Sequence, residues 1–392
     1  MQPLDSVRVL DMSRLLPGPF CTLALSDLGA QVDKLEDPHV GDYLRFVSSL
    51  GTTDGPAVSG RFWALNRDKR SLCLDLKQAA GRSAFLRLVP HYQVLVESFR
   101  PGVLHRLGLS LAALWERNPA LVVCSISGYG QDGPYRDRAG HDLNYLAMSG
   151  VLSLSGSAQD AAPHPLPIQL ADLGAGGLWA ALGIVAALRK AEKTGQGSHI
   201  DLSMCEGAAS FLLPDLGQQM ASPDAPPPRR GEDALTGGLA CYGVYRTRDD
   251  KFVSVAALEP KFWSNLNRVL NRPADPSELL SPPEEQQRIR AELAALFSQK
   301  TRAEWEQVFA SEDACVEPVL EPHELATHPL HVGREVFFSA EGPFSHVRTP
   351  LRPRGPGCGQ PPALGQHSSA ILRESGFSDA EIELLQKGGV TR

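Results

Sequence analysis

The chain lacks any surplus of positive charge: 38 Lys and Arg stand against 45 Asp and Glu in 392 residues, a net charge of −7, and like charges nowhere gather in a block. That balance argues against nucleic acid or an anionic membrane as the main partner, so a polyanionic ligand has to be held by a local basic cluster. The seven cysteines, at 21, 73, 124, 205, 241, 315 and 358, are odd in number, scattered and without Cys-x-x-Cys spacing. Neither a disulfide framework nor a zinc site is indicated, and a reducing cytoplasm is the expected location. No basic patch followed by an apolar stretch opens the chain, and the richest apolar run, 178–188, reads as too short to cross a bilayer. Neither secretion nor insertion is therefore expected. The final Gly-Val-Thr-Arg is not a peroxisomal address. No Gly-x-Gly-x-x-Gly follows the first strand pattern, which removes the dinucleotide fingerprint, and no internal repeat is visible.

What is present is an alternation of strand and helix patterns. Residues 7–11 read as a buried strand, Pro17-Gly18-Pro19 turns into a short helix ending near Gly29, and 31–35 form a second strand. Strand patterns at 71–76, 94–97 and 121–126 alternate with helical ones at 78–88 and 111–117, which predicts a parallel α/β sheet. Residues 175–193 form a long apolar helix with Arg189, Lys190 and Lys193 at its C-terminal end, where cations complement the dipole, and 198–202 resume the strand pattern. The Ser/Thr/Gly-rich stretch between Val47 and Gly60 has no periodicity and reads as either a mobile flap or an ordinary surface loop, the loop being favoured because polar insertions are cheap at the surface. Residues 222–230, rich in proline, form a stiff linker. Beyond it, 242–247 and 252–257 flank Arg248-Asp249-Asp250 as a hairpin, and two helices follow, the second opened by the capping box Thr301-Arg302-Ala303-Glu304. A Gly/Pro-rich return across 333–364 and a second capping box, Ser378-Asp379-Ala380-Glu381, precede a terminal helix.

The chemistry concentrates in 140–150, Gly-His-Asp-Leu-Asn-Tyr-Leu-Ala-Met-Ser-Gly, and in 171–177, Ala-Asp-Leu-Gly-Ala-Gly-Gly. His141 and Asp172 each start an apolar helical pattern beside glycines, and such a pair can meet across one cleft as acid and base. Each also has an ordinary reading, His141 as a satisfied structural histidine and Asp172 as a helix N-cap, and for Asp172 the two roles are compatible. The Lys69-Arg70 pair reads as a solvated face or, near a strand end, as an anion contact.

Gly-His-Asp-Leu-Asn-Tyr and the later Asp-Leu-Gly resemble the family III CoA-transferases, and within them the α-methylacyl-CoA racemases. The similarity continues through Pro17-Gly18-Pro19-Phe20, 69–77 (Lys-Arg-Ser-Leu-Cys-Leu-Asp-Leu-Lys), 99–103 (Phe-Arg-Pro-Gly-Val), 127–131 (Ser-Gly-Tyr-Gly-Gln), Tyr245-Arg246-Thr247, Leu258-Glu259-Pro260 and Ala314-Cys315-Val316. The resemblance implies an α/β fold with a Rossmann-like large domain, a smaller α+β domain and long linkers that interlock two subunits. On this chain the N-terminal part of the large, CoA-binding domain is expected at 1–221, the linker and small domain at 222–330, and the return to the large domain at 331–392. It implies His141 and Asp172 as catalytic residues, with Glu259 as an orienting partner of His141. Lys69, Arg70, Leu74, Arg100, Asp142 and Tyr145 are the implied CoA contacts, with Lys34, Arg67 and Arg106 as further basic candidates. The family often carries an Arg before the proline that follows the second strand, on a CoA phosphate; this chain has Asp37 before Pro38.

Family III transferases use the matching Asp as a nucleophile that carries the acyl group, and usually have an aromatic or apolar residue where this chain has His141. The His therefore points to racemisation of a 2-methylacyl-CoA thioester or a 2-arylacyl relative. Inversion requires removing the weakly acidic α-proton from one face and returning one to the other: neutral His141 with protonated Asp172 is one competent pair, and the opposite charge states serve the reverse direction. A helix N-terminus favours the ionised Asp172 by roughly 0.3–1 kcal/mol, whereas burial can raise a carboxyl pKa by several units, so burial is expected to win. Backbone N–H groups near the glycines around Asp172 are expected to hold the enolate oxygen. No metal or redox cofactor is required, CoA entering as part of the substrate. The expected partners are an acyl-CoA and a second copy of the chain, with no nucleic acid and no membrane. A CoA-transferase with Asp172 as nucleophile and a non-catalytic CoA-binding protein are the alternatives.

Overall fold

In a computed structural model the protein is described over residues 2–46, 59–273, 275–339, 345–355 and 357–392. The surface loop expected between Val47 and Gly60 lies, but for its last two residues, outside the described residues. The chain divides into two compact units: the first comprises Met1–Ser149, Pro167–Phe211 and Pro329–Arg392, the second Gly150–Leu166 and Leu212–His328.

The first unit is built on β1 (Arg8–Asp11), α1 (Pro17–Asp27), β2 (Gln31–Glu36), α2 (Gly60–Asn66), β3 (Arg70–Cys73), α3 (Ala79–Leu88) and β4 (Val94–Glu97). It continues through α4 (Val103–Arg106), α5 (Leu111–Arg117), β5 (Val122–Ser127), α6 (Asp142–Ser149), α7 (Trp179–Thr194), β6 (Ser198–Ser203) and α8 (Met204–Ser210). The six strands form one parallel sheet in the order β3-β2-β1-β4-β5-β6. Strands of such a sheet are covered on both faces, which is why β4 and β5 read as near-continuous apolar runs, whereas β2 also buries Asp33, Lys34 and Glu36. Leu10, Leu35, Leu72, Leu95 and Val123 are buried in one core with Phe85, Leu88, Tyr92 and Leu114. The strand order reverses between β1 and β4, and a doubly wound sheet opens its ligand crevice at that point, beyond the carboxyl ends of the strands.

The helix expected at 175–193 is longer. A π-helical stretch, Ala171–Leu178, runs directly into α7, and Gly195, at φ 68°, closes the helix. The combined run, Ala171–Thr194, has 24 residues, and an 18-residue window of it has a mean hydropathy of 1.6, so by length and composition it could span a bilayer, contrary to the shorter run read from sequence. Half of that window is buried inside the protein, the pattern of a core helix.

The second unit holds α9 (Leu213–Ala221), the hairpin β7 (Tyr242–Arg246) and β8 (Phe252–Ala256), α10 (Pro260–Val269), α11 (Pro283–Phe297), α12 (Arg302–Phe309) and β9 (Val316–Pro318). Three helices follow the hairpin where two were expected; the Thr301–Glu304 capping box does open the last of them. Trp263, Ile289, Leu293, Phe297 and Trp305 form its own core. Its boundary also differs from the one drawn at 222. The Arg230 side chain donates to the carbonyls of Ser157 and Asp160 (3.2 and 2.8 Å), which ties the Pro-rich segment to residues 150–166 and draws both into this unit.

From Pro329 the chain rejoins the first unit through α13 (Pro329–Gly333), the short pair β10 (Phe337–Ser339) and β11 (Ser345–Val347), α14 (Ser368–Glu374) and α15 (Asp379–Lys387). Ile371 and Leu372 enter the first core. Ser368 Oγ accepts the Cys73 N–H (3.0 Å) and the Thr391 hydroxyl donates to the Cys73 carbonyl (2.6 Å), so the returning segment is stitched to β3.

Candidate active site

A cleft of about 760 Å³ opens at the carboxyl ends of β1, β4 and β5, where the strand order reverses, and all of its lining residues belong to the first unit. That volume suits a drug-sized or cofactor-sized ligand. Three turns frame it. After β1, Leu15 is held at φ 63° and its N–H donates to Asp42 Oδ1 (3.1 Å), which presents Arg14 to the cleft. After β4, Glu97 Oε2 accepts the Phe99 N–H (2.7 Å) and shapes the turn carrying Phe99, Arg100 and Pro101. After β5, Gly128 lets the Tyr145 ring close in: a Cβ on this glycine would sit 2.3 Å from Tyr145 Cε1.

The Gly-His-Asp-Leu-Asn-Tyr motif then resolves into separate tasks. Asn144 Oδ1 accepts the His141 N–H (3.1 Å) while the Asn144 N–H donates to the His141 carbonyl (2.8 Å), a reciprocal closure that fixes the backbone of an exposed imidazole at the start of α6. Tyr145 is buried and its hydroxyl donates to the Gly140 carbonyl (2.5 Å). Asp142 Oδ1 accepts the Asp172 N–H (2.9 Å), and its carboxylate also takes the Ala171 N–H. It is thus Asp142 that supplies the acceptor at the start of the π-helical stretch, and Asp172 is not the N-cap: helical geometry begins at Ala171, and the cap position, Leu170, makes no side-chain bond.

His141 and Asp172 both line this cleft. Burial pushes the half-buried Asp172 carboxyl up to about 7, and the like charge of Asp142 adds to the rise, so a proton can be held or released there near neutrality. Four arginines, Arg14, Arg100, Arg136 and Arg138, edge the same space. Arg136 lies 3.6 Å from the neighbouring Asp137, whereas among the described residues no carboxylate lies within ion-pair distance of the other three. Arg14 bonds the Tyr43 hydroxyl (3.3 Å) and Arg138 stacks on Tyr135 at 3.8 Å.

The remaining expected contacts are placed elsewhere. Lys69 is buried, its Nζ donating to Thr22 Oγ1 (2.8 Å), Asn66 Oδ1 (3.0 Å) and the Pro19 carbonyl (3.0 Å) beside Asp11. Arg70 stands at the amino end of β3, opposite the crevice, and is committed to Asp33 (2.7 Å) and Glu374 (2.7 Å). Leu74 is 1% exposed and is a core side chain. Lys34 is paired with Asp42 at 2.9 Å and Arg67 with Asp27 at 2.6 Å, both buried. Arg106 is exposed and does not line the cleft. Of the basic candidates, only Arg100 reaches it. Glu259 belongs to the second unit, directly before α10, with an exposed side chain. Asp37 is a turn former: its Oδ1 accepts the N–H groups of His39 (2.8 Å) and Val40 (3.2 Å), which hold its carboxyl below the usual range despite partial burial. The sequence reading missed Arg14, Arg136 and Arg138; an Arg three residues before Pro-Gly-Pro and a basic pair just before Gly-His-Asp were the available signals.

Comparison with known proteins agrees with this architecture. Residues 4–368 match the family described as CoA-transferase family III. The chain belongs to that family. It is 39% identical to the alpha-methylacyl-CoA racemase of Homo sapiens, covering 97% of this chain and 96% of that one. It is also 32% identical to the acetyl-CoA:oxalate CoA-transferase of Acetobacter aceti, covering 87% and 86%. A crystal structure of a CAIB/BAIF family protein from Brucella suis superposes with a TM-score of 0.83 at 27% identity, over 95% of this chain and 99% of that one. Family III thus supplies both a racemase and a transferase as relatives.

Proposed function

We propose that the protein is a racemase of 2-methylacyl-CoA thioesters that moves the α-proton between His141 and Asp172 through an enolate. The observation that carries this reading is that one cleft contains both an exposed imidazole and a carboxyl raised to about 7. The competent pair holds one proton in either direction, on Asp172 with neutral His141 or on His141 with ionised Asp172. The side chain that removes the α-proton and the one that returns it therefore exchange roles between enantiomers. Arg14, Arg100 and Arg138, not already paired with a carboxylate among the described residues, supply the positive edge for the CoA phosphates. The protein works as a cytoplasmic homodimer in this reading; Leu178 and Leu182, 49% and 58% exposed on the Ala171–Thr194 run, support a subunit contact there. Proton transfer by side chains requires no added cofactor.

The test is incubation of one enantiomer of a 2-methylacyl-CoA in deuterated water, with chiral analysis and mass spectrometry. Inversion with α-deuterium incorporation and no acyl acceptor is expected. Asp172→Asn should lower inversion by roughly 10²–10⁴-fold, the usual contribution of a positioned acid or base. Because the pair must keep its single proton, kcat/KM should fall for both enantiomers together as pH rises through about 7. The second reading, a CoA-transferase, is favoured by the match to the Acetobacter enzyme. It predicts no α-deuterium, dependence on a carboxylate acceptor, and a hydroxylamine-sensitive acyl group on Asp172.

A further inference from the structure

Beneath the cleft a row of polar side chains crosses the sheet. Strand register places Glu97 on β4, Ser125 on β5 and Asp201 on β6 side by side. Glu97 is 4% exposed and Ser125 3%, so both are removed from bulk water. Ser125 faces Glu97 across the register, where its hydroxyl favours the ionised carboxyl, and Ser125 Oγ lies 3.0 Å from His199 Nε2 on the edge strand β6. Each end of the row holds a turn. Glu97 Oε2 accepts the Phe99 N–H (2.7 Å), and the Asp201 carboxylate accepts the Gln131 N–H (3.0 Å) in the turn that follows β5. Buried carboxyls are costly, and this one sits directly under an arginine-bearing turn of the cleft.

We propose that Glu97 is a positioning residue of the acyl-CoA cleft: it holds the Phe99–Arg100 turn, and the Ser125–His199 pair behind it carries its proton, so that CoA binding is coupled to protonation of Glu97. The proposal rests on the reading of the cleft as an acyl-CoA site. Burial pushes the Glu97 carboxyl up to about 7; the Ser125 hydroxyl and the Phe99 amide pull the other way, and the charge of Asp201 adds to the rise. Among the described residues, the titratable groups that bear on it are Asp201 on β6, the Cys124 thiol on β5, itself raised by burial, and His199 through Ser125. A polyanion entering the cleft disfavours a carboxylate below it, so binding raises the proton affinity of Glu97 further. The sign follows: CoA binds more tightly below the pKa of Glu97, takes up a proton near neutrality, and loses affinity as pH rises through about 7.

Free CoA is the probe, titrated calorimetrically into the full-length protein. Affinity is expected to fall by up to roughly tenfold between about pH 6 and about pH 8, one pKa unit of coupling being a factor of ten. Because Asp172 in the cleft also titrates near 7, each comparison is made in an Asp172→Asn protein; there Glu97→Gln, which keeps an acceptor for the Phe99 amide but cannot ionise, should flatten this dependence while binding at about pH 8 at least as tightly as its parent. Ser125→Ala removes a donor that favours the carboxylate and should move the break to higher pH, which keeps the test sharp even if Glu97→Gln folds poorly. A Glu97→Gln protein with its parent's pH dependence, a Ser125→Ala protein with an unmoved break, or a parent that binds CoA without any break would each overturn the proposal alone. Absence of CoA binding at every pH would overturn it together with the acyl-CoA reading of the cleft.

Discussion

Two groups of cations in the first unit differ in what they already hold. Lys34, Arg67 and Lys69 are buried, and each faces a carboxylate: Asp42, Asp27 and Asp11. Arg14, Arg100 and Arg138 border the cleft at the carboxyl ends of the strands, with no carboxylate at ion-pair distance among the described residues. The first group is spent on the fold and the second is available to a ligand. In the sequence the two are indistinguishable, because a basic residue near a strand end reads the same whether its partner is an aspartate forty residues away or a phosphate. An Arg→Ala change in one group should therefore act on stability and in the other on binding.

The largest effect is expected from Lys69→Met. Lys69 is buried among Asp11, Thr22, Asn66 and the Pro19 carbonyl, and burial lowers its pKa to about 8. Removing one member of a buried ion pair leaves the other uncompensated, at about 3–5 kcal/mol. Asp11 retains its bonds to Ser13 and Thr22 and the field of Lys34, which places the loss at the lower end. Thermal or denaturant unfolding should show the first unit melting early. A variant as stable as the wild type, with CoA affinity lost instead, would erase the distinction between the two groups.

Arg100→Ala and Arg138→Ala should do the reverse. Both side chains are exposed and lack a carboxylate partner among the described residues, so stability is expected to change by no more than about 0.5 kcal/mol. Loss of a charge-assisted contact to a phosphate should weaken CoA binding by about 1.5–3 kcal/mol, or about 10- to 100-fold. Calorimetry on the two single variants reads this directly. CoA affinity unchanged in both would move the phosphate site away from this edge of the cleft.

The contrast also explains how far the sequence could be read. Four of the six strands of the sheet appear as largely apolar runs at 7–11, 71–76, 94–97 and 121–126, because a sheet covered on both faces leaves little room for polar side chains, whereas 31–35 and 198–202 mix polar and apolar residues, Asp33 and Lys34 being buried with charged partners. His141 and Asp172 were legible because glycines and a helix start surround each of them. The start of the π-helical stretch was not, since it depends on Asp142 reaching across to the amides of Ala171 and Asp172. Nor was Glu97 distinguishable from any carboxylate at a strand end: its partners Ser125 and His199 are 28 and 102 positions away and become neighbours only through the register of β4, β5 and β6. Residues 150–166 were assigned to the large domain for the same reason, the tie to Arg230 being a contact over some seventy residues.

The smallest effect concerns Asp37, which belongs to neither group. The family resemblance implies an Arg there on a CoA phosphate, and on that expectation Asp37→Arg restores a missing contact. The structure adds a cost: the carboxylate accepts the His39 and Val40 amides and lies 3.5 Å from Lys77, whose side chain is 81% exposed. The pair with so exposed a lysine contributes under about 1 kcal/mol, and the turn bonds are worth about as much. Asp37→Asn, which keeps an acceptor for the amides, should leave stability within about 0.5 kcal/mol of the wild type. Asp37→Arg should lose about 1 kcal/mol of stability while CoA affinity holds or rises, the freed Lys77 and the new Arg both offering positive charge. Denaturation and calorimetry on the two variants separate the turn from the ligand. A folded Asp37→Arg protein that binds CoA markedly more weakly would mean that Asp37 itself takes part in holding the ligand, and the division between paired scaffold charges and free cleft charges would have to admit an acidic member.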